Sequence, residues 1–111
     1  MAARPKVRYA TIFVFPGGAR GKVRVNATPE TLTVRPGDIV DWTVVNAASD
    51  GSAGRVTIGW KDASPLKAEP KDFDRASRAA VRGKAKPGRY KYSILLNGEV
   101  VFDPEIEVMN P

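Results

Sequence analysis

The chain has 111 residues, 42% of them apolar and 27% charged, with 18 Lys and Arg against 12 Asp and Glu for a net charge of +6. It contains no cysteine and no histidine, which excludes disulfides, thiolate or imidazole metal sites and any catalytic triad built on a His base. No apolar run approaches the roughly 20 residues of a membrane-spanning helix, so a membrane protein of that kind is excluded as well.

Short runs of period-two alternation, separated by Pro, Gly and Asn, recur along the chain and predict an all-β sandwich or barrel. Residues 1–6 form an N-terminal tail. Gly17–Lys22 is glycine-rich, but three residues rather than four separate Gly17 from Gly21 and Val23 follows the lysine, so it reads as a strand connection and not a phosphate loop. Val23, Val25 and Ala27 then share one face, with Lys22, Arg24 and Asn26 on the other. Thr31–Val34 continues the alternation, and Arg35-Pro-Gly-Asp38 has Pro and Gly placed for a type II turn.

From Asp38 to Asn46 one face carries Val40, Trp42 and Val44, and the other Ile39, Asp41, Thr43 and Val45. Ala47–Gly54 is small and polar and reads as a loop. Val56, Ile58 and Trp60 alternate with Thr57 and Gly59, and Trp60, beside Lys61-Asp62, either closes the core or flanks an exposed cleft. Lys61–Asp74 holds Pro65 and Pro70 among many charges, which predicts a long surface connection that buries little. Residues 75–82 stay open: a helix would align Arg75, Arg78 and Arg82, whereas a strand would turn Ser77, Ala79 and Val81 inward.

Lys86-Pro-Gly88 is a further turn, followed by Tyr90, Tyr92 and Ile94 on one strand face. Asn97-Gly98 is the strongest hairpin signal, since both residues tolerate the positive φ of a type I′ turn. The last strand, Val100–Met109, contains Pro104 and is expected near an edge or bulge there. These elements predict a single domain over residues 1–111 with seven or eight strands. Its core is drawn from Val23, Val25, Leu32, Val34, Val40, Trp42, Val44, Val56, Ile58, Tyr90, Tyr92 and Ile94.

The run Pro29-Glu-Thr-Leu-Thr-Val-Arg-Pro-Gly-Asp-Ile-Val-Asp-Trp-Thr-Val-Val-Asn46 resembles the strand-turn-strand of cupredoxins, the small β-sandwich proteins related to plastocyanin and azurin. Lys86-Pro-Gly-Arg-Tyr-Lys-Tyr-Ser93 resembles the strand that leads to their copper-binding cysteine, and together the matches span residues 23–108. The resemblance implies a two-sheet antiparallel Greek-key β-sandwich. It also implies where copper ligands would stand: a His where this chain has Arg55, a Cys where it has Ser93, and a second His near Leu96. Arg, Ser and Leu offer no soft donor in their place, so the expectation is a metal-free domain without cofactor. The ending Asn97-Gly-Glu-Val-Val-Phe-Asp-Pro-Glu-Ile-Glu-Val108 is similar to metal-free cupredoxin-like domains, in which a tight hairpin occupies the ligand loop.

Charge is unevenly distributed. Met1–Arg24 has six basic residues and no acid, and Arg75, Arg78, Arg82, Lys84, Lys86, Arg89 and Lys91 form a second acid-free run. Such runs can neutralise the phosphates of a polyanion, drive self-association, or only keep a domain soluble. Asp103, Glu105 and Glu107 share one side of the last strand, where they read as a solvated face that discourages edge pairing rather than as a hard-cation site.

The leading expectation is a non-catalytic interaction module for a protein partner or a second copy. Its contacts are expected around the lost ligand positions Arg55, Ser93, Leu96 and Asn97. The alternative is a polyanion-binding domain, with nucleic acid held by the run from Arg75 to Lys91. Ile12–Phe15 is too short an apolar block for a secretory leader, so the expected location is cytoplasmic as the chain stands, and periplasmic or secreted if a leader has been removed.

Overall fold

A computed structural model describes residues 5–15, 24–46, 56–70, 73, 75–96 and 99–110. The expectations for residues 1–4, Gly17–Lys22, Val23, Ala47–Gly54 and Asn97-Gly98 lie outside them. The described residues form strands β1 (Val7–Phe15), β2 (Arg24–Thr28), β3 (Thr31–Val34), β4 (Ile39–Asn46), β5 (Val56–Trp60), β6 (Ala76–Ala80), β7 (Gly88–Leu96), β8 (Glu99–Phe102) and β9 (Glu105–Val108). No helix occurs among them, so none there is long and apolar enough to cross a membrane.

One sheet has the order β2-β1-β4-β6; the other has the order β3-β9-β7-β5, with β8 also paired to β7. Both are mixed, because β1 runs parallel to β4 and β3 runs parallel to β9. That corrects the all-antiparallel expectation. The chain passes from β2 in one sheet to β3 in the other through Pro29-Glu30, so successive segments need not be antiparallel neighbours.

The predicted core residues are in the core where they are described, with Val25, Leu32, Val34, Val40, Trp42, Val56, Ile58, Tyr92 and Ile94 buried and Val44 and Tyr90 packed against them. The core also takes in Ile12 and Val14 of β1 and Ile106 and Val108 of β9, which the prediction lacked. Trp42 from the four-stranded sheet and Tyr92 from the five-stranded sheet meet edge to face, with ring centroids 5.9 Å apart. The indole Nε1 donates to the Tyr92 hydroxyl at 3.2 Å, which satisfies both polar atoms in the interior. Burial pushes the Tyr92 hydroxyl up to about 12, although the Trp42 hydrogen bond opposes the rise.

The turn before β4 is the type II turn the sequence predicts: Asp38 N–H donates to the Arg35 carbonyl at 3.0 Å and Gly37 takes φ +88°. Asp38 itself is buried. Its carboxylate accepts from the Arg35 N–H at 2.9 Å, the Arg8 guanidinium at 3.1 Å and the Lys6 N–H at 3.2 Å. Burial by itself raises this carboxyl, but the three donors and the Arg8 charge outweigh it and hold Asp38 below its ordinary value. The cluster latches the start of β1 to the turn that opens β4.

Within residues 75–82 the open choice falls to strand, β6 over Ala76–Ala80, with Ser77 opposite Trp42 and Ala79 opposite Val40. Three expectations are corrected. The connection from Lys61 to Asp74 does bury side chains: Pro65, Leu66 and Phe73 are interior, with Leu66 bridged to Val81 and Phe73 to Val56. Its charges at Lys61, Asp62, Lys67 and Glu69 stay exposed while the apolar residues between them cover the sandwich edge. The last strand is two, β8 and β9, separated at Asp103-Pro104, and the register irregularity falls at Ile94/Leu95 rather than at the proline. Finally, β9 lies between β3 and β7, so Glu105 and Glu107 are not on an edge.

Candidate functional site

Strand alternation decides where the lost ligand positions point. On β7, Tyr92, Ile94 and Leu96 face the core, so Ser93 faces outward, where its hydroxyl donates to Asp103 Oδ1 at 2.9 Å. Leu96 is buried and pairs with Val56. Ser93 and Leu96 therefore lie on opposite faces of one strand and do not converge on a common point. Arg55 and Asn97, the residues next to that last register pair, lie outside the described residues.

Above Ser93 the outer surface of β5, β7 and β8 opens into a cleft of about 500 Å³, whose lining includes Gly59, Trp60, Lys61, Lys91, Leu95 and Asp103. Gly59 keeps its floor open, since a Cβ there would stand 3.2 Å from Leu95 Cδ1. Trp60 takes both roles the sequence offered. It packs on Tyr92 with centroids 5.2 Å apart and also lines the cleft, while its buried Nε1 has no hydrogen-bond partner among the described residues.

The basic run from Arg75 to Lys91 is divided between the two sheets. Arg78, on β6, donates to Asp41 at 2.5 Å; Arg89, on β7, meets Glu105 at 2.9 Å and Glu107 at 3.5 Å. Arg82 donates to the Ser64 carbonyl, which ties the turn to the long connection. Arg75, Lys84, Lys86 and Lys91 are exposed. The structure thus does not assemble the seven residues into one patch. Glu105 also accepts from Thr31 at 2.9 Å, so the β9 carboxylates serve lateral contacts within the sheet. Among the described residues no group of three Asp or Glu is placed to hold a metal ion.

The sequence reading passed over the outer face of the four-stranded sheet. Down β1 it presents Tyr9, Phe13 and Phe15, with Val45 of β4 opposite Phe13. Tyr9 is 61% exposed, Phe15 42% and Val45 43%, and the Phe13 and Phe15 rings stack 6.2 Å apart at 15°. Aromatic residues at three of the five outward positions of β1, with Thr11 between Tyr9 and Phe13, were the available signal.

No protein-family model matches the chain, and no curated protein sequence does. Among solved structures, a purple cupredoxin from Nitrosopumilus maritimus superposes with a TM-score of 0.53 at 17% identity, covering 89% of this chain and 98% of that one. The fold is cupredoxin-like. A mutant fern plastocyanin (TM-score 0.48, 14% identity, 89% of this chain and 99% of that one) and rusticyanin from Thiobacillus ferrooxidans (TM-score 0.47, 18% identity, 97% and 79%) are also similar. A blue copper site needs a thiolate and two imidazoles, and this cupredoxin-like chain holds neither kind of donor anywhere in its sequence. Its side chains do not fit the copper that the fold implies.

Proposed function

We propose that this chain is a non-catalytic, metal-free binding module built on a cupredoxin-like sandwich. The observation that carries the reading is the combination of that fold with a sequence that has no cysteine and no histidine. The cleft beside Ser93 supplies a contact surface of mixed character, with apolar Trp60 and Leu95 next to Lys61, Lys91 and Asp103. The contacts expected at Arg55 and Asn97 lie outside the described residues, and Leu96 serves packing.

The test is equilibrium dialysis of the folded protein against Cu(I) and Cu(II), each in the presence of a weak competing chelator. The expected result is no retained copper. A stoichiometric complex that is lost on unfolding overturns the metal-free reading.

A second reading, polyanion binding, is favoured by the exposure of Arg75, Lys84, Lys86 and Lys91. Its mark is an affinity that falls steeply with salt, because counterion release drives it.

A further inference from the structure

We propose that the outer face of the β2-β1-β4-β6 sheet binds single-stranded nucleic acid, with Tyr9, Phe13 and Phe15 as the platform on which bases stack. The inference rests on the reading of the chain as a binding module and names its partner.

Three observations converge on that occupant. The first is the aromatic row itself, exposed along one strand at Tyr9 and Phe15 and continued by the stacked Phe13. Bases stack on such rings whatever their sequence, since every base has a π-face.

The second is charge. On its outer positions this sheet carries Arg24 and Arg78 against one acid, Asp41, while Arg8 has the opposite parity and is held in the Asp38 latch. The Asp41 carboxylate is buried and accepts from both Arg78 and Thr43, so it presents little negative potential to a phosphate chain. The chain that forms and flanks β1, Met1 to Arg24, has six bases and no acid.

The third is size. At about 3.3 Å per residue and about 4.8 Å between strands, the nine residues of β1 and four strands give a face of roughly 30 by 19 Å. That is about 600 Å², below the roughly 800 Å² each partner contributes to a standard globular interface. Two copies of a chain with charge +6 also repel one another. A narrow apolar row in a basic setting suits a linear polyanion with flat bases better than a second folded domain.

The experiment is fluorescence anisotropy of a labelled oligo-dT of about 20 nucleotides, long enough to exceed a site of several nucleotides. Binding is expected at 50 mM salt and should weaken on the order of 50-fold by 200 mM if about four phosphates are engaged. Tyr9→Ala and Phe15→Ala, both at exposed positions, should each weaken it by about 5- to 150-fold while thermal unfolding stays near wild type. Arg89→Ala, on the other sheet, should leave it unchanged.

No binding at low salt overturns the proposal. So does binding that is indifferent to both aromatic substitutions, which would be charge attraction alone, or equal affinity for duplex DNA of the same length. A concentration-dependent dimer abolished by the same two substitutions also overturns it, since a second copy would then cover the face. The metal-free reading stands or falls separately, on copper retention.

Discussion

The two sheets of this sandwich solve the problem of an outer face in different ways. On the five-stranded sheet, polar side chains satisfy one another: Arg89 bridges Glu105 and Glu107 across β7 and β9, Thr31 donates to Glu105, and Ser93 donates to Asp103. On the four-stranded sheet the single acid is folded under Arg78, and the middle of the face is left to Tyr9, Phe13, Phe15 and Val45. The β7–β9 side of one surface is closed by its own charges, beside the cleft of β5, β7 and β8, and the other surface leaves aromatic area in contact with water. Isolated exposed apolar residues are ordinary, but a row of them on one strand marks a surface kept for contact.

The comparison can be broken most severely from the inside, where the two sheets meet. Trp42→Ala removes the fully buried ring that joins them and should cost about 3–5 kcal/mol in urea unfolding, enough to unfold a large share of a marginally stable domain.

Next in size is the latch on the four-stranded side. Asp38→Asn removes the charge that three donors converge on and should cost about 1.5–3 kcal/mol at neutral pH. Because the folded Asp38 carboxyl lies below its ordinary value of 3.8, its contribution is complete above that value and is lost as pH falls through it toward the lowered folded value. The urea midpoint of the wild type should therefore drop more steeply below about pH 4 than that of Asp38→Asn.

Tyr92→Phe leaves the Trp42 Nε1 without its acceptor and should cost about 1–3 kcal/mol. The Tyr92 hydroxyl is raised in the folded state, so its stabilising effect is complete below about pH 10 and falls away as pH rises toward 12. Alkaline unfolding followed by circular dichroism should begin at higher pH in Tyr92→Phe, relative to its own neutral-pH stability.

The smallest effect belongs to the five-stranded face. Arg89→Ala should cost no more than about 1 kcal/mol, and that cost should shrink in high salt, because the pair is exposed on the arginine side.

Much of the fold was legible in the residues. The turn at Arg35–Asp38 and the inward row Val40, Trp42 and Val44 follow from turn chemistry and period-two alternation, and both appear as read. Strand β1 was not legible as a strand. Its outward positions hold Val7, Tyr9, Thr11, Phe13 and Phe15, of which only Thr11 and the Tyr9 hydroxyl are polar, so clear alternation of polar and apolar residues, the usual mark of a half-buried strand, is absent from Val7–Phe15. The concealment and the contact surface have one cause.

Asp38 could be placed in a turn by its position after Pro-Gly, but its burial depends on Lys6 and Arg8, about thirty residues away, which no local pattern reports. Charge density hid the burial of Pro65, Leu66 and Phe73 in the same manner. At the candidate site, Ser93 and Leu96 could be named from the resemblance, and their opposite orientations follow from period-two alternation once β7 is seen to run through Leu96.

The most direct test of the difference between the two faces is an amide chemical-shift map of the isotopically labelled chain, recorded at low salt with and without oligo-dT. The account predicts perturbations concentrated on β1 and its neighbours β2 and β4, around Tyr9, Phe13 and Val45, with β7 and β9 unmoved. Perturbations centred on Arg89, Lys91 and Glu105, or none at all, would contradict it.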